Sequence, residues 1–127
     1  MGKDYKITEA EWLVMKVLWA HPSSYSSEVI EELDKTTDWK PNTIKTLLSR
    51  LVAKKVVKFR KENNAYIYTP ILSEEECTEI ESESLLNRLF NGSCNLMVSR
   101  LINANKLSKE DINELRVLLN KTDGQEK

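Results

Sequence analysis

Between residues 41 and 69 the spacing of apolar side chains switches from a helical period of 3.6 to a strand period of two, which few small folds accommodate. Ile44, Leu47, Leu48, Leu51 and Val52 lie on one face of a helix opening at Pro41. Proline suits the first helical position, where its missing N–H is no loss. After Lys54-Lys55 the residues alternate, Val57 and Phe59 with Lys58 and Arg60. Beyond Glu62-Asn63-Asn64-Ala65 comes Tyr66-Ile67-Tyr68-Thr69, and Pro70 ends the run. Asparagine tolerates left-handed backbone, so Asn63-Asn64 reads as a hairpin turn.

Three helix starts carry one signature. Thr8 precedes Glu11, Ser73 precedes Glu76 and Ser108 precedes Asp111 at the spacing of a capping box, each flanked by apolar residues suited to a hydrophobic staple. They predict helices beginning near 9, 74 and 109. The first runs to about Ala20 before Pro22. It is apolar nearly all round (Trp12, Leu13, Val14, Met15, Val17, Leu18, Trp19), as a core helix of a small domain is. A second spans about 27–35 with Val29, Ile30 and Leu33 inward, and Thr36-Thr37-Asp38 turns the chain into the helix at Pro41. Helix, turn, helix and basic hairpin make a winged helix–turn–helix over residues 1–72.

Eight basic residues and no acidic one occupy positions 39–61: Lys40, Lys45, Arg50, Lys54, Lys55, Lys58, Arg60 and Lys61. The chain carries a net charge of −1, so the remainder is acidic and would be repelled by the polyanion that this stretch attracts. Opposite the apolar face of the helix stand Asn42, Lys45, Thr46, Ser49 and Ala53, with Thr43 and Arg50 at its edges. Short hydrogen-bonding side chains among long cations suit base edges and phosphates of a major groove. A solvated charged face is the plain alternative, and Arg50, beside the core face, could instead brace a neighbouring element.

Downstream of the Pro70–Ser73 junction the expected helices are 74–90, 94–103 and 109–121. The first opens on an acidic run that favours the helix dipole, and Asn91-Gly92 is a C-cap signal. Leu96, Met97, Leu101, Ile112, Leu115 and Leu119 fall on the apolar faces of the last two. Three short helices cannot hide these residues alone. Burying roughly ten such side chains is worth about 15–30 kcal/mol before entropy, which a twofold homodimer would collect. The expected organisation is therefore mainly α: a DNA-reading domain over 1–72, a three-helix dimerisation arm over 73–121 and a disordered polar tail over 122–127.

Other classes are poorly supported. No apolar run reaches membrane-spanning length and the start at Met1-Gly2-Lys3-Asp4 has no signal-peptide core, so membrane insertion is not expected and a cytoplasmic location is. Cys77 and Cys94 are too far apart for a zinc site, and each reads as a small buried apolar residue. No metal or cofactor is expected. The one histidine, His21, sits at a helix end, and no nucleophile elbow or carboxylate pair suggests an enzyme. A winged-helix module docking a protein, or a winged-helix regulator answering a different signal, a small molecule or a metal, leaves less trace in sequence. The acid-free run argues against the former.

The blocks Ile7–Trp19, Asp38–Leu51 and Tyr66–Pro70, with Asn91–Asn95 and Leu107–Leu115 in the arm, resemble the BlaI/MecI family of penicillinase and methicillin-resistance repressors over nearly the whole chain. The resemblance implies a dimeric repressor on a palindromic double-stranded operator upstream of β-lactam-resistance genes. It further implies release when a membrane-bound sensor, or a protease downstream of it, leads to a cut in the arm. By position it places base contacts on Asn42, Thr43, Lys45 and Thr46. Trp39, Lys40, Arg50 and the wing residues Lys58, Arg60 and Lys61 fall near the backbone. Two positions depart from the family. Arg100-Leu101 stands where relatives have a cleavable Asn-Phe step, and Lys40 stands where a serine often caps the recognition helix. The related copper-responsive repressors of the CopY type end in a cysteine cluster, whereas Leu119–Lys127 holds neither Cys nor His.

Overall fold

The computed structural model describes residues 6–125. Met1–Asp4, and Glu126-Lys127 of the expected tail, lie outside the described residues. In chain order the elements are α1 (Glu9–Ala20), β1 (Ser24–Tyr25), α2 (Ser26–Asp34), α3 (Pro41–Ala53), β2 (Val57–Glu62), β3 (Ala65–Pro70), α4 (Glu74–Phe90), α5 (Cys94–Asn103) and α6 (Lys109–Gln125). Two compact units form, one ending at Ser82 and one beginning at Glu83, and α4 passes from the first into the second.

Local chemistry starts the helices where the sequence suggests. The Glu11 N–H donates to Thr8 Oγ1 (3.1 Å) and Glu11 Oε1 accepts from the Thr8 N–H (2.9 Å). Ser73 and Glu76 repeat the reciprocal pair at α4, as do Ser108 and Asp111 at α6. Such caps satisfy donors that a helix cannot satisfy internally. Three helices are followed by left-handed residues: Lys55 (φ 67°) after α3, Asn91 (φ 51°) and Gly92 (φ 79°) after α4, and Asn105 (φ 58°) after α5.

The first unit closes on Ile7, Val14, Met15, Val17, Leu18, Val29, Leu33, Ile44, Leu47, Leu48, Leu51, Val56, Val57 and Cys77. Trp12 and Trp19 pack against this core and meet edge to face at 5.2 Å. Leu13, expected among the core residues of α1, is 43% exposed. A helix on the outside of a small unit cannot turn every face inward. A three-stranded antiparallel sheet, ordered β1-β3-β2, closes the unit, with Asn63 (φ 53°) and Asn64 (φ 65°) forming the hairpin turn.

The beginning of α4 belongs to this first unit. Cys77 is buried, and burial first, then the neighbouring Glu76 and Glu81 charges, pushes its thiol up to about 11, which makes it an inert packing group. Trp19 Nε1 donates to the Leu72 carbonyl (2.9 Å), the Ile7 N–H donates to Glu81 Oε2 (3.2 Å), and Lys16 pairs with Glu74 (2.6 Å). The compact unit thus extends past the Leu72 boundary expected from sequence.

The second unit buries little. Among the described residues no side chain of α5 or α6 is buried. Leu96, Met97 and Ile112 are half-buried, whereas Leu101, Leu115 and Leu119 are exposed, Leu119 to 66%. Two expectations are corrected. Cys94 is exposed, because it occupies the first turn of α5 just after the Ser93 cap. The polar segment expected after Lys121 continues α6 through Gln125, since the Ser108 cap and the apolar residues before Thr122 carry helix onward and Thr122 Oγ1 donates to the Leu118 carbonyl (3.1 Å).

Candidate nucleic-acid interface

The core fixes the orientation of α3. Ile44, Leu47, Leu48 and Leu51 are buried, so Asn42, Thr43, Lys45, Thr46, Ser49 and Arg50 are presented outward, and all six are exposed. No acid stands in the first turn of α3 to offset the partial positive charge of its N-terminus. Thr46 Oγ1 donates to the Asn42 carbonyl at 2.9 Å. Its proton is thereby engaged, leaving the oxygen lone pairs to accept from a base amino group and the methyl to pack on thymine.

Lys40 is the N-cap residue of α3 and makes no side-chain cap bond. Its carbonyl accepts from the N–H groups of Thr43 (2.9 Å) and Ile44 (3.2 Å), and its side chain is exposed. Trp39, just before it, is half-buried against the core. Thr37 Oγ1 donates to the Leu33 carbonyl (2.9 Å) and accepts from the Trp39 N–H (3.4 Å), which ties the turn between α2 and α3 together.

The eight cations of residues 39–61 do not act as one group. Lys54 turns inward: its ammonium meets Glu11 Oε1 at 2.5 Å and donates to the Lys6 carbonyl at 2.7 Å. The Glu11 side chain is 1% exposed. Burial alone would raise its carboxyl, but the Lys54 ammonium and the Thr8 hydrogen bonds outweigh burial and hold it below its ordinary value of 4.5. Lys54 is therefore a structural residue.

In the wing, Lys58 lies opposite Thr69, Arg60 opposite Ile67, and Lys61 opposite Tyr66. Strand alternation puts Lys58 and Arg60 on one face and Lys61 on the other, with Phe59, Tyr66 and Tyr68. Arg60 Nε lies 3.8 Å from Glu62 in an exposed pair, a weak tether that leaves the guanidinium available.

Sequence reasoning assigned a role to Lys61 on this second face but none to its aromatics. Ser49 and Val52 of α3 and Phe59, Tyr66 and Tyr68 of the hairpin line a groove of about 290 Å³. Phe59 is 50% exposed rather than inward like Val57, and its ring forms part of the groove wall opposite Ser49 and Val52. Burial, and then the neighbouring Tyr66, push the Tyr68 hydroxyl above its ordinary value of 10.0, so it remains protonated near neutrality. The period of two, combined with the hairpin register, was the signal that could have placed these aromatics together.

Among the described residues no group of His, Cys, Asp and Glu is arranged to hold a metal ion, and no helix is long and apolar enough to cross a membrane. The profile of the penicillinase repressor family matches residues 7–121. The penicillinase repressor of Bacillus licheniformis is 44% identical over 94% of this chain and 93% of its own length. The methicillin resistance regulatory protein MecI of Staphylococcus aureus is 34% identical over 94% and 98%. Among solved structures, the DNA-binding domain of the repressor BlaI superposes with a TM-score of 0.54 at 45% identity, covering 60% of this chain and 93% of that one. The monomeric form of Bacillus licheniformis BlaI in complex with the blaP half-operator superposes with a TM-score of 0.50 at 45% identity, covering 56% and 87%.

Proposed function

From a chain that belongs to the penicillinase repressor family, we propose a dimeric transcriptional repressor that holds a palindromic operator through two copies of α3 and is released on induction. The observation that carries this reading is the outward face of α3, an acid-free set of Asn42, Thr43, Lys45 and Thr46 held rigidly by a buried opposite face. Support comes from the relative whose monomeric form was solved with the blaP half-operator. In the proposed arrangement these four residues contact base edges. Trp39, Lys40, Arg50, Lys58, Arg60 and Lys61 lie along the flanking phosphates. The protein has no catalytic role and works in the cytoplasm, where the operator is.

The exposed apolar faces of α5 and α6 support the dimer, with Leu96, Met97, Leu101, Ile112, Leu115 and Leu119 as its contacts. Proteolysis at Arg100–Leu101 is the proposed release step. Both residues are exposed within α5, so a protease, the sensor or one downstream of it, gains the extended backbone it needs only after that helix unwinds locally. Arg-Leu in place of the family's Asn-Phe step favours a second reading of the signal alone: the same repressor answering a protease or inducer of different specificity.

Lys45→Ala with Thr46→Ala tests the reading directly. Each good base contact is worth about 1–3 kcal/mol, so affinity for a blaP operator duplex should fall at least about tenfold while the fold is kept and a scrambled duplex binds nearly as before. Equal affinities of wild type and double variant for both duplexes would sink the assignment of α3.

Neutralising Lys58 and Arg60 to glutamine gives a different signature. Binding to operator and scrambled duplexes should weaken alike, and the slope of log K against log salt should shrink by about 0.9 for each phosphate that no longer meets a cation. If only operator binding suffers, these two residues read bases.

A further inference from the structure

We propose that the aromatic groove between α3 and the wing is a sequence-independent contact for the sugar–phosphate backbone of duplex DNA, with Phe59 and Tyr66 covering deoxyribose rings. The inference rests on the DNA-binding reading above and adds to it an apolar component that the charge pattern does not contain. Phe59 and Tyr66 are 50% and 43% exposed, on a hairpin otherwise rich in cations. Single exposed apolar residues need no explanation, but adjoining aromatics that wall a groove mark a contact surface.

The two rings meet edge to face at 5.3 Å, and Tyr68, half-buried, stands 6.1 Å from Phe59. The rings are therefore held in place before any partner arrives, and little side-chain freedom is lost on binding. Ser49 connects the groove to the recognition surface, being on the outward face of α3 and in the groove wall at once. With α3 in a major groove, the backbone strand that flanks it runs alongside the wing.

Charge decides the kind of partner. Lys61 shares the hairpin face with the aromatics, and its ammonium lies 5.9 Å from the Tyr66 ring centroid. An apolar wall with a cation at its rim matches a chain in which apolar sugars alternate with anionic phosphates. The rings sit along the hairpin and not at its Asn63-Asn64 tip, so they lie against the backbone and do not wedge between base pairs.

The test uses the full chain and a fluorescent random-sequence duplex long enough for two half-sites, titrated over a series of salt concentrations. Two rings burying on the order of 60 Å² of apolar surface contribute about tenfold in affinity. Phe59→Ala with Tyr66→Ala should therefore bind about tenfold more weakly at every salt concentration with the slope unchanged, because every cation–phosphate pair is kept. Phe59→Leu with Tyr66→Leu, which keeps apolar cover and leaves the hairpin less disturbed, should recover most of the loss, and circular dichroism reports on folding. Should the alanine pair unfold, each single alanine variant should show a smaller loss at constant slope. Unchanged affinity, or a loss accompanied by a flatter slope, overturns the inference while the DNA-binding reading stands. A wild-type chain that ignores duplex DNA at low salt overturns both.

Discussion

Lys54→Ala is expected to destabilise the N-terminal unit by about 3 kcal/mol, although Lys54 belongs to the most basic stretch of the chain. The substitution leaves the Glu11 carboxylate, 1% exposed, without its cation. The Lys54 side chain is itself 28% exposed, so water enters after truncation and the loss falls at the low end of that for breaking a buried pair. The Lys6 carbonyl loses a donor as well, which loosens the entry into α1. Urea denaturation of wild type, Lys54→Ala and Lys54→Met/Glu11→Met measures the effect. The double variant should be much closer to wild type than Lys54→Ala, since removing both charges removes the desolvation cost with them. Equal midpoints for Lys54→Ala and wild type would show that the pair contributes nothing. The same pair sets a pH dependence. The folded state holds the Glu11 carboxyl below its ordinary 4.5, so this contribution is complete above that pH and is lost as pH falls through the lower folded value. Wild type should lose stability more steeply than a Glu11→Gln variant below about pH 4.5.

What the sequence makes legible here is mostly what short-range chemistry controls. A capping box needs only residues three apart, so Thr8, Ser73 and Ser108 mark three helix starts without knowledge of the fold. The switch of period gives α3 and the hairpin, and the two asparagines give its turn. Long-range contacts are what escaped. Glu11 looks like a cap residue and is one, but its second role depends on Lys54, far along the chain. Lys54 looks like one more cation for phosphate until its partner is known. Phe59 and Val57 are equivalent by alternation, and no local pattern separates the buried residue from the half-exposed one. The short β1 pairs with β3 across much of the first unit, which no local pattern announces. In the arm the difficulty is of another kind. Its apolar faces are legible and stay exposed, and the second copy proposed to cover them leaves no mark in the sequence of one chain.

Ending the chain at Ser82 is expected to produce a folded monomer whose operator affinity is lower by about 10²–10⁴. Two half-sites held by a dimer share one binding event, and an effective concentration in the millimolar range is lost when the halves separate. The position of the cut matters. A chain ending at Pro70 removes the Leu72 carbonyl that accepts from Trp19, the buried Cys77 and the Glu81 carboxylate that accepts from Ile7. It should unfold at distinctly lower urea, so weak binding by that shorter piece would confuse loss of the dimer with loss of the fold. Ending at Ser82 keeps all three contacts and removes α5, α6 and the apolar end of α4 with Leu85 and Leu89. Sedimentation equilibrium at micromolar concentration separates the outcomes: full chain dimeric, Ser82 chain monomeric. The Ser82 chain should still bind a single half-site as well as one subunit of the full protein does, because α3 and the wing are intact. A dimeric Ser82 chain, or a full chain that stays monomeric, would remove the arm from dimerisation. A cut at Arg100–Leu101 takes away only part of the same surface. Leu96 and Met97 then remain while Ile112, Leu115 and Leu119 leave, and affinity should settle between the two extremes, nearer to that of the Ser82 chain.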